Sequence, residues 1–279
     1  MGAYTHNILK NMNELICIVK NNGLQDSMYS WVNTAATIIA LLYCLWHGKK
    51  LGVPLWKMAI ILAVVYFGSG PVGNLIWSGV EYLKEIQFLG ITKSVNSIVR
   101  LFVFFPLLAI IPALILRVKC SLACDAIVMY PLIRSCWAQL ACIFPGCCAG
   151  YPWEYGIFNI RTHSYHFPTQ IVETVLTLLI FLYLLSILRD KKYVSDGTLY
   201  PHMMIFYGIM RFVCELLRDN EKILFGVSAV AIHAMLIFTV GIIWILILYR
   251  RKEKTYGHSI QAVEAEEAET CEGSESTES

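Results

Sequence analysis

Apolar residues in this chain run together rather than alternate with polar ones. Stretches at about 29–46, 55–80, 97–117, 124–146, 169–188, 197–217 and 226–249 are nearly free of charge. An α-helix needs about 20 such residues to cross the hydrocarbon core of a bilayer, whereas a helix on a soluble protein keeps a polar face. The pattern predicts an all-α, polytopic membrane protein with about seven transmembrane helices. Pro106, Pro112 and Pro131 fall inside predicted spans and are expected to kink them, and Pro145-Gly146 is expected to end the fourth. Before the first span, Leu9, Met12, Ile16 and Val19 recur at helical spacing. That spacing reads either as a short amphipathic helix on the membrane surface or as a loosely ordered arm.

Charge gives the predicted spans a direction. Lys49, Lys50 and Lys57, then Arg117 and Lys119, then Arg189, Lys191 and Lys192, and finally Arg250, Arg251, Lys252 and Lys254 occupy alternate loops and the tail. The intervening loops mix signs, with Glu81, Lys84, Glu85 and Lys93, then Glu154 and Arg161, then Asp219, Glu221 and Lys222. The positive-inside rule therefore predicts the N-terminus outside and the C-terminus in the cytoplasm. Three units follow: an interfacial arm over 1–26, a transmembrane helical domain over 27–250, and an acidic cytoplasmic tail over 251–279. The tail is rich in Glu, Ser and Thr and is expected to be disordered.

Composition agrees, with 57% hydrophobic and 15% charged residues and a mean hydropathy of +0.59. A net charge of +2 gives no reason to expect a nucleic-acid partner. Ten cysteines are scattered, and only Cys142, Cys147 and Cys148 cluster. No CxxC pair with a matching His or Cys pair occurs, so spacing supports no zinc site, and no cofactor is implied.

Under this topology the fourth span delivers Cys142, Cys147 and Cys148 to the outer side. Pro168, Gln170 and Glu173 start the fifth span there, and Arg211, Glu215 and Arg218 occupy the outer half of the sixth. Tyr207, Arg211, Glu215 and Arg218 are spaced i, i+4, i+8 and i+11, on one helix face. A mid-span charge costs about 2.5–3.5 kcal/mol, so such residues face a cavity or a partner. Arginine suits a phosphate because its planar fork donates paired hydrogen bonds. The plain alternative is an internal Arg211–Glu215 pair that holds the helices together. Arg134 and Arg100 are candidates to pair with Glu173 or to add positive charge to a headgroup site, and Arg100 also reads as an interfacial snorkel. For the thiols a disulfide from Cys142 to Cys147 or Cys148, packing, and nucleophilic roles all stand, with a structural role as the default. His163 and His166 are loop candidates for acid–base work. Trp153, Tyr155 and Tyr165 fit an interfacial aromatic belt.

At these positions the chain resembles the prolipoprotein diacylglyceryl transferase family, bacterial seven-span enzymes of the plasma membrane. Gly146-Cys147-Cys148-Ala149-Gly150 is similar to the family's Gly-Cys-Cys-Tyr-Gly signature, with Ala149 in the tyrosine's place. Pro168-Thr169-Gln170 with Glu173 resembles its His-Pro-Ser/Thr-Gln-x-x-Glu motif. Tyr207-Gly208, Arg211-Phe212, Glu215 and Arg218 resemble its Tyr-Gly-x-x-Arg-Phe-x-x-Glu-x-x-Arg motif. The resemblance implies transfer of diacylglyceryl from phosphatidylglycerol to the lipobox cysteine of a preprolipoprotein at the outer leaflet. Its partners would be that lipid, the signal-peptide region of the acceptor and the bilayer. It puts Arg211, Glu215, Gln139 and His166 in catalytic positions. It puts Arg218, Tyr207, Gln170, Glu173, Cys142, Gly146, Gly150 and Arg134 around the substrates.

The departures are specific. Gln139 stands where the family has an arginine, Phe167 stands where it has the histidine before the proline, and the third span lacks its His-Gly-Gly motif. A second reading is a divergent paralogue that keeps the scaffold and binds lipid or modifies another acceptor. A small transporter is a third, and it predicts internal repeats that are not visible.

Overall fold

The computed structural model describes residues 2–82, 100–190, 195–218, 222–224 and 227–275. Nine helices lie in these residues: α1 Gly2–Asn21, α2 Gln25–Lys50, α3 Leu55–Tyr82, α4 Phe105–Ile115, α5 Cys120–Ile127, α6 Met129–Ala141, α7 Thr169–Arg189, α8 Leu199–Leu216 and α9 Ala229–Glu275. The start of the third expected span, at 97–99, lies outside the described residues, as do the loop charges Lys84, Glu85, Lys93, Lys191, Lys192, Asp219 and Glu221. So does the side chain of Arg100.

Proline decides where the fourth expected span breaks. The ring of a helical proline crowds the carbonyl four residues earlier and leaves it without its amide donor. Pro131 therefore acts on Ile127, where α5 ends, and Pro145 acts on Ala141, where α6 ends. The kink expected at Pro131 is a one-residue break at Val128, whose backbone stays in the right-handed helical region, and the helix stops before Pro145 rather than at it. A π-turn at Arg100–Phe104 precedes Pro106 near the start of α4, while Pro112 is accommodated inside that helix. Among the described residues, three helical segments are long and apolar enough to cross a membrane: Gln25–Lys50, Thr169–Arg189 and Val230–Glu253. Shorter apolar segments lie at Leu55–Ser69 and Phe102–Ile115.

Small residues let the helices approach. Ala36, Ala40 and Cys44 form one buried edge of α2, the small-residue spacing that favours close packing in a membrane. On α8, a Cβ at Gly208 would lie 2.8 Å from the Phe238 Cβ and 2.9 Å from the Ala234 carbonyl oxygen, so glycine there lets α9 close on α8. The opposite helix faces leave large apolar side chains exposed, among them Ile39, Leu42, Leu179, Leu182, Ile243 and Leu246. Water is a poor neighbour for such ridges, and lipid chains are a good one.

Two features depart from a purely helical reading. The aromatic stretch after the cysteines is a hairpin, β1 Pro152–Asn159 against β2 Ser164–His166, with Phe158 opposite Tyr165. Gly156 lets the strands touch, since a Cβ there would fall 1.9 Å from the His166 carbonyl oxygen. A smaller pair joins β3 Lys222–Leu224 to β4 Val227–Ser228. The N-terminal arm is helical, and it packs on the hairpin. Ile16 and Val19 are buried, Ile16 beside Ile143 and Ile157, and Asn13 Oδ1 accepts the Phe158 amide at 3.0 Å. The backbone of α9 stays helical to Glu275, through residues whose composition predicts disorder. Alanine and glutamate there have high helix propensity.

Candidate functional site

The end of α6, the start of α7, the end of α8 and the start of α9 meet at one end of the bundle. Gly150 ties the meeting point together. It bridges to Arg218 and donates its amide to the Phe167 carbonyl at 3.0 Å. A Cβ on it would meet Thr169 Oγ1 at 2.4 Å. Gln170 Nε2 donates to the Cys147 carbonyl at 2.8 Å, holding the cysteine turn over the first turn of α7.

Four charges lie beneath that turn. Glu173 offers one carboxylate oxygen to Arg211 Nη1 and the other to Arg218 Nη2, so two guanidinium groups share one acid. Glu215 is the looser neighbour, 3.9 Å from Arg211 Nη2 and 3.6 Å from Arg218 Nη1. Its other oxygen accepts the Ser228 hydroxyl at 2.8 Å. All four side chains are at most 4% exposed. The i, i+4 pair expected within α8 is therefore secondary to a bridge between α7 and α8. Two buried donors remain: among the described residues, Arg211 Nε and Arg218 Nε have no hydrogen-bond partner. A buried donor without an acceptor costs about 1–3 kcal/mol, which marks the place as suited to an anionic oxygen. Tyr207, on the same face, stacks on Phe102 with ring centroids 3.9 Å apart.

The structure moves several residues out of their expected roles. Arg134 does not reach Glu173: its Nη1 donates to Asn33 Oδ1 on α2, and Asn33 in turn donates to the Tyr29 carbonyl. His166 is a loop brace. Its Nδ1 meets the Gly150 carbonyl at 2.7 Å, and its Nε2 meets the Thr162 and Ser164 hydroxyls at 2.8 and 3.0 Å. With Nδ1–H donating to that carbonyl, Nε2 is the nitrogen left to accept from the two hydroxyls, so the ring braces the loop and keeps a lone pair on Nε2. Gln139 is half-buried, with a buried Oε1 that no donor reaches. Cys142, Cys147 and Cys148 are all free thiols, so none of the expected disulfides is formed. Hydrogen bonds from Cys142 and Cys147 push the Cys148 thiol below its ordinary value against the effect of burial, and the Arg218 and Arg211 charges add to this. Gly146 adopts φ +68°, and a Cβ there would strike Asn159 Oδ1 at 2.4 Å, so it shapes the turn without supplying a reacting group.

Two participants were not singled out from sequence. Ser228, a polar residue at the mouth of the last apolar run, holds Glu215. Asn33, a polar residue inside the first span, holds Arg134, and intramembrane polarity is itself the signal that points to it.

The profile of the Prolipoprotein diacylglyceryl transferase family matches residues 18–248. The chain belongs to this family. It is 29% identical over 92 residues to the phosphatidylglycerol–prolipoprotein diacylglyceryl transferase of Streptococcus uberis, which is 33% of this chain and 36% of that protein. The Campylobacter lari protein of the same name is 33% identical over 96 residues, 33% of each chain. The Streptococcus pyogenes protein is 28% identical over 93 residues, 33% of this chain and 36% of that one. The matched segment thus spans about a third of the length of these relatives. Within this family member, every residue of the four-charge cluster lies inside the matched profile.

Proposed function

We propose that this chain is a bacterial multi-pass membrane enzyme that moves diacylglyceryl from phosphatidylglycerol to the lipobox cysteine of a preprolipoprotein, working at the outer leaflet with its N-terminus outside. One observation carries the reading. Arg211 and Arg218 are buried side by side on a shared carboxylate, and each keeps an Nε–H without an acceptor among the described residues. A phosphodiester entering there would meet two donors already aimed and desolvated, and Glu173 would fix both forks.

The chemistry asks little more of this chain. The acceptor cysteine gives its proton to solvent and its thiolate forms a C–S bond to the glyceryl carbon, while the bond from that carbon to the phosphate ester oxygen breaks and glycerol phosphate leaves with the electron pair. Charge grows on the phosphate oxygens as that bond breaks, so preorganised guanidinium donors stabilise the transition state more than the ground state. Glu173 orients Arg211 and Arg218, Ser228 and Glu215 complete the cradle, and Gln170 holds the cysteine turn that roofs it.

The test uses the purified full chain in vesicles of phosphatidylglycerol labelled in its diacylglyceryl moiety, with a lipobox peptide. Wild type should label the peptide, and Arg211→Ala should slow labelling by about 10²–10³-fold, the usual cost of removing one such donor. Arg211→Lys should recover only part of the rate, because a point charge cannot replace the fork. Undiminished labelling by Arg211→Ala would refute the assignment. Gln139, in place of a family arginine and with its Oε1 unmet, favours a second reading, a scaffold that binds the lipid without transferring it. Absence of labelling by wild type, with phosphatidylglycerol still retained, would select that reading.

A further inference from the structure

The cysteine turn holds more than packing requires. The Sγ atoms of Cys142, Cys147 and Cys148 all lie within 4.8 Å of one another, although sequence spacing argued against a metal site. A disulfide would consume two of these thiols and strand the third; a metal ion would use all three. Metal–thiolate bonds of about 2.3 Å place sulfurs about 3.8 Å apart around a tetrahedral ion, so closure asks for a contraction of no more than about 1 Å. The scaffold is built for it. Cys142 is buried at the C-terminal end of α6, and Gly146 turns the chain back with φ +68°. Cys148 then sits at φ 61°, a left-handed conformation shared by only two other non-glycine residues among those described. A side chain held in that region is an outlier that marks a constrained site. The turn is also clamped from below by the Gln170 to Cys147 hydrogen bond.

We propose that Cys142, Cys147 and Cys148 form a three-thiolate site for a thiophilic d¹⁰ metal ion such as Zn²⁺. Soft sulfur ligands select such ions over the hard cations. Each thiol that binds gives up its proton, so a divalent ion leaves a local charge of −1, and the neighbouring Arg211 and Arg218 offset it. Three protein sulfurs leave a fourth coordination position for a further ligand. The site stands on its own geometry and does not depend on the transferase reading.

The experiment is a titration of the reduced, purified full chain with Cd²⁺, followed through thiolate-to-cadmium charge-transfer absorbance, with competition by Zn²⁺. The expected result is saturation at one ion per chain, with release of protons. Loss of even an outer-shell partner costs about 10–100-fold in metal affinity, so Cys142→Ser and Cys147→Ser should each weaken binding by at least about tenfold. Cys136→Ser, whose thiol lies outside the cluster against the Thr174 carbonyl, should bind like wild type. Circular dichroism of each variant separates a lost site from a lost fold, and Cys148→Ser serves if either of the others fails to fold. Failure of the reduced wild type to take up Cd²⁺ would overturn the proposal. So would unchanged affinity in folded Cys142→Ser and Cys147→Ser. A disulfide among these three cysteines in the protein as isolated, read by intact mass before and after reduction, would overturn it as well.

Discussion

Glu173 and Asp125 are both withdrawn from solvent, at 1% and 0% exposure, and they lie toward opposite ends of α8, yet they are satisfied differently. Asp125 Oδ2 accepts the Ser195 hydroxyl at 2.7 Å and the Gly197 amide at 3.0 Å. Those neutral donors clasp α5 to the loop that leads into α8. Glu173 takes two guanidinium groups, whose own Nε donors remain unmet among the described residues. The first arrangement sets an acid against neutral donors from a loop. The second leaves directed, desolvated donors, which a purely structural clasp has no use for. A buried ion pair is weak evidence for stability, so the surplus donors, rather than the pairing, distinguish the working end.

The comparison breaks most readily at Glu173. Glu173→Ala strands two buried cations and should cost about 3–5 kcal/mol of stability, seen as a large drop in the thermal midpoint of helical ellipticity in detergent. Little change would mean that the two guanidiniums are already solvated, and the contrast with Asp125 would collapse.

Asp125→Ala comes next. It leaves a buried hydroxyl and amide without their acceptor and should cost about 1–3 kcal/mol, while phosphatidylglycerol turnover per folded molecule stays at the wild-type level. A turnover loss at unchanged stability would place the Asp125 clasp inside the working machinery and erase the distinction.

The smallest effect belongs to Asp196, beside the same clasp. Burial alone would raise its carboxyl, but hydrogen bonds from Lys252 and Thr198 outweigh that and hold it below its ordinary value. A depressed folded value stabilises the fold above the unfolded value of about 3.9, and the contribution disappears as pH falls through the folded value. The pair with Lys252 is partly solvated, so Asp196→Asn should cost at most about 1 kcal/mol at neutral pH. Melting curves of the two proteins should converge in acid. A gap that persists there would assign the effect to something other than charge.

Several local features were legible in the residues. Apolar runs announce helices for a membrane because burial in lipid is decided segment by segment; α2 and α7 follow those runs closely, while α9 begins with the last run and continues past it. Arg211, Glu215 and Arg218 stand out because a charge amid apolar neighbours carries a cost visible in one dimension. The kink at Pro131 and a stop near Pro145 were legible too, although the helix ends at Ala141, four residues before that proline. The hairpin was missed because its aromatics read equally well as a belt, and only the approach of Gly156 to His166 shows that two strands are present.

What the amino-acid order determined alone is the set of apolar segments and the face on which α8 carries its charges, since both follow from periodicity and the cost of burying polarity. Tertiary structure decided the partners: Glu173 rather than Glu215 as the shared acid, Asn33 as the ligand of Arg134, Ser228 on Glu215, and three thiols gathered at one turn. Each is a contact between residues whose separation along the chain says nothing about their separation in space. Angles and depths between packed helices set which donor reaches which acceptor, and no single segment contains that information.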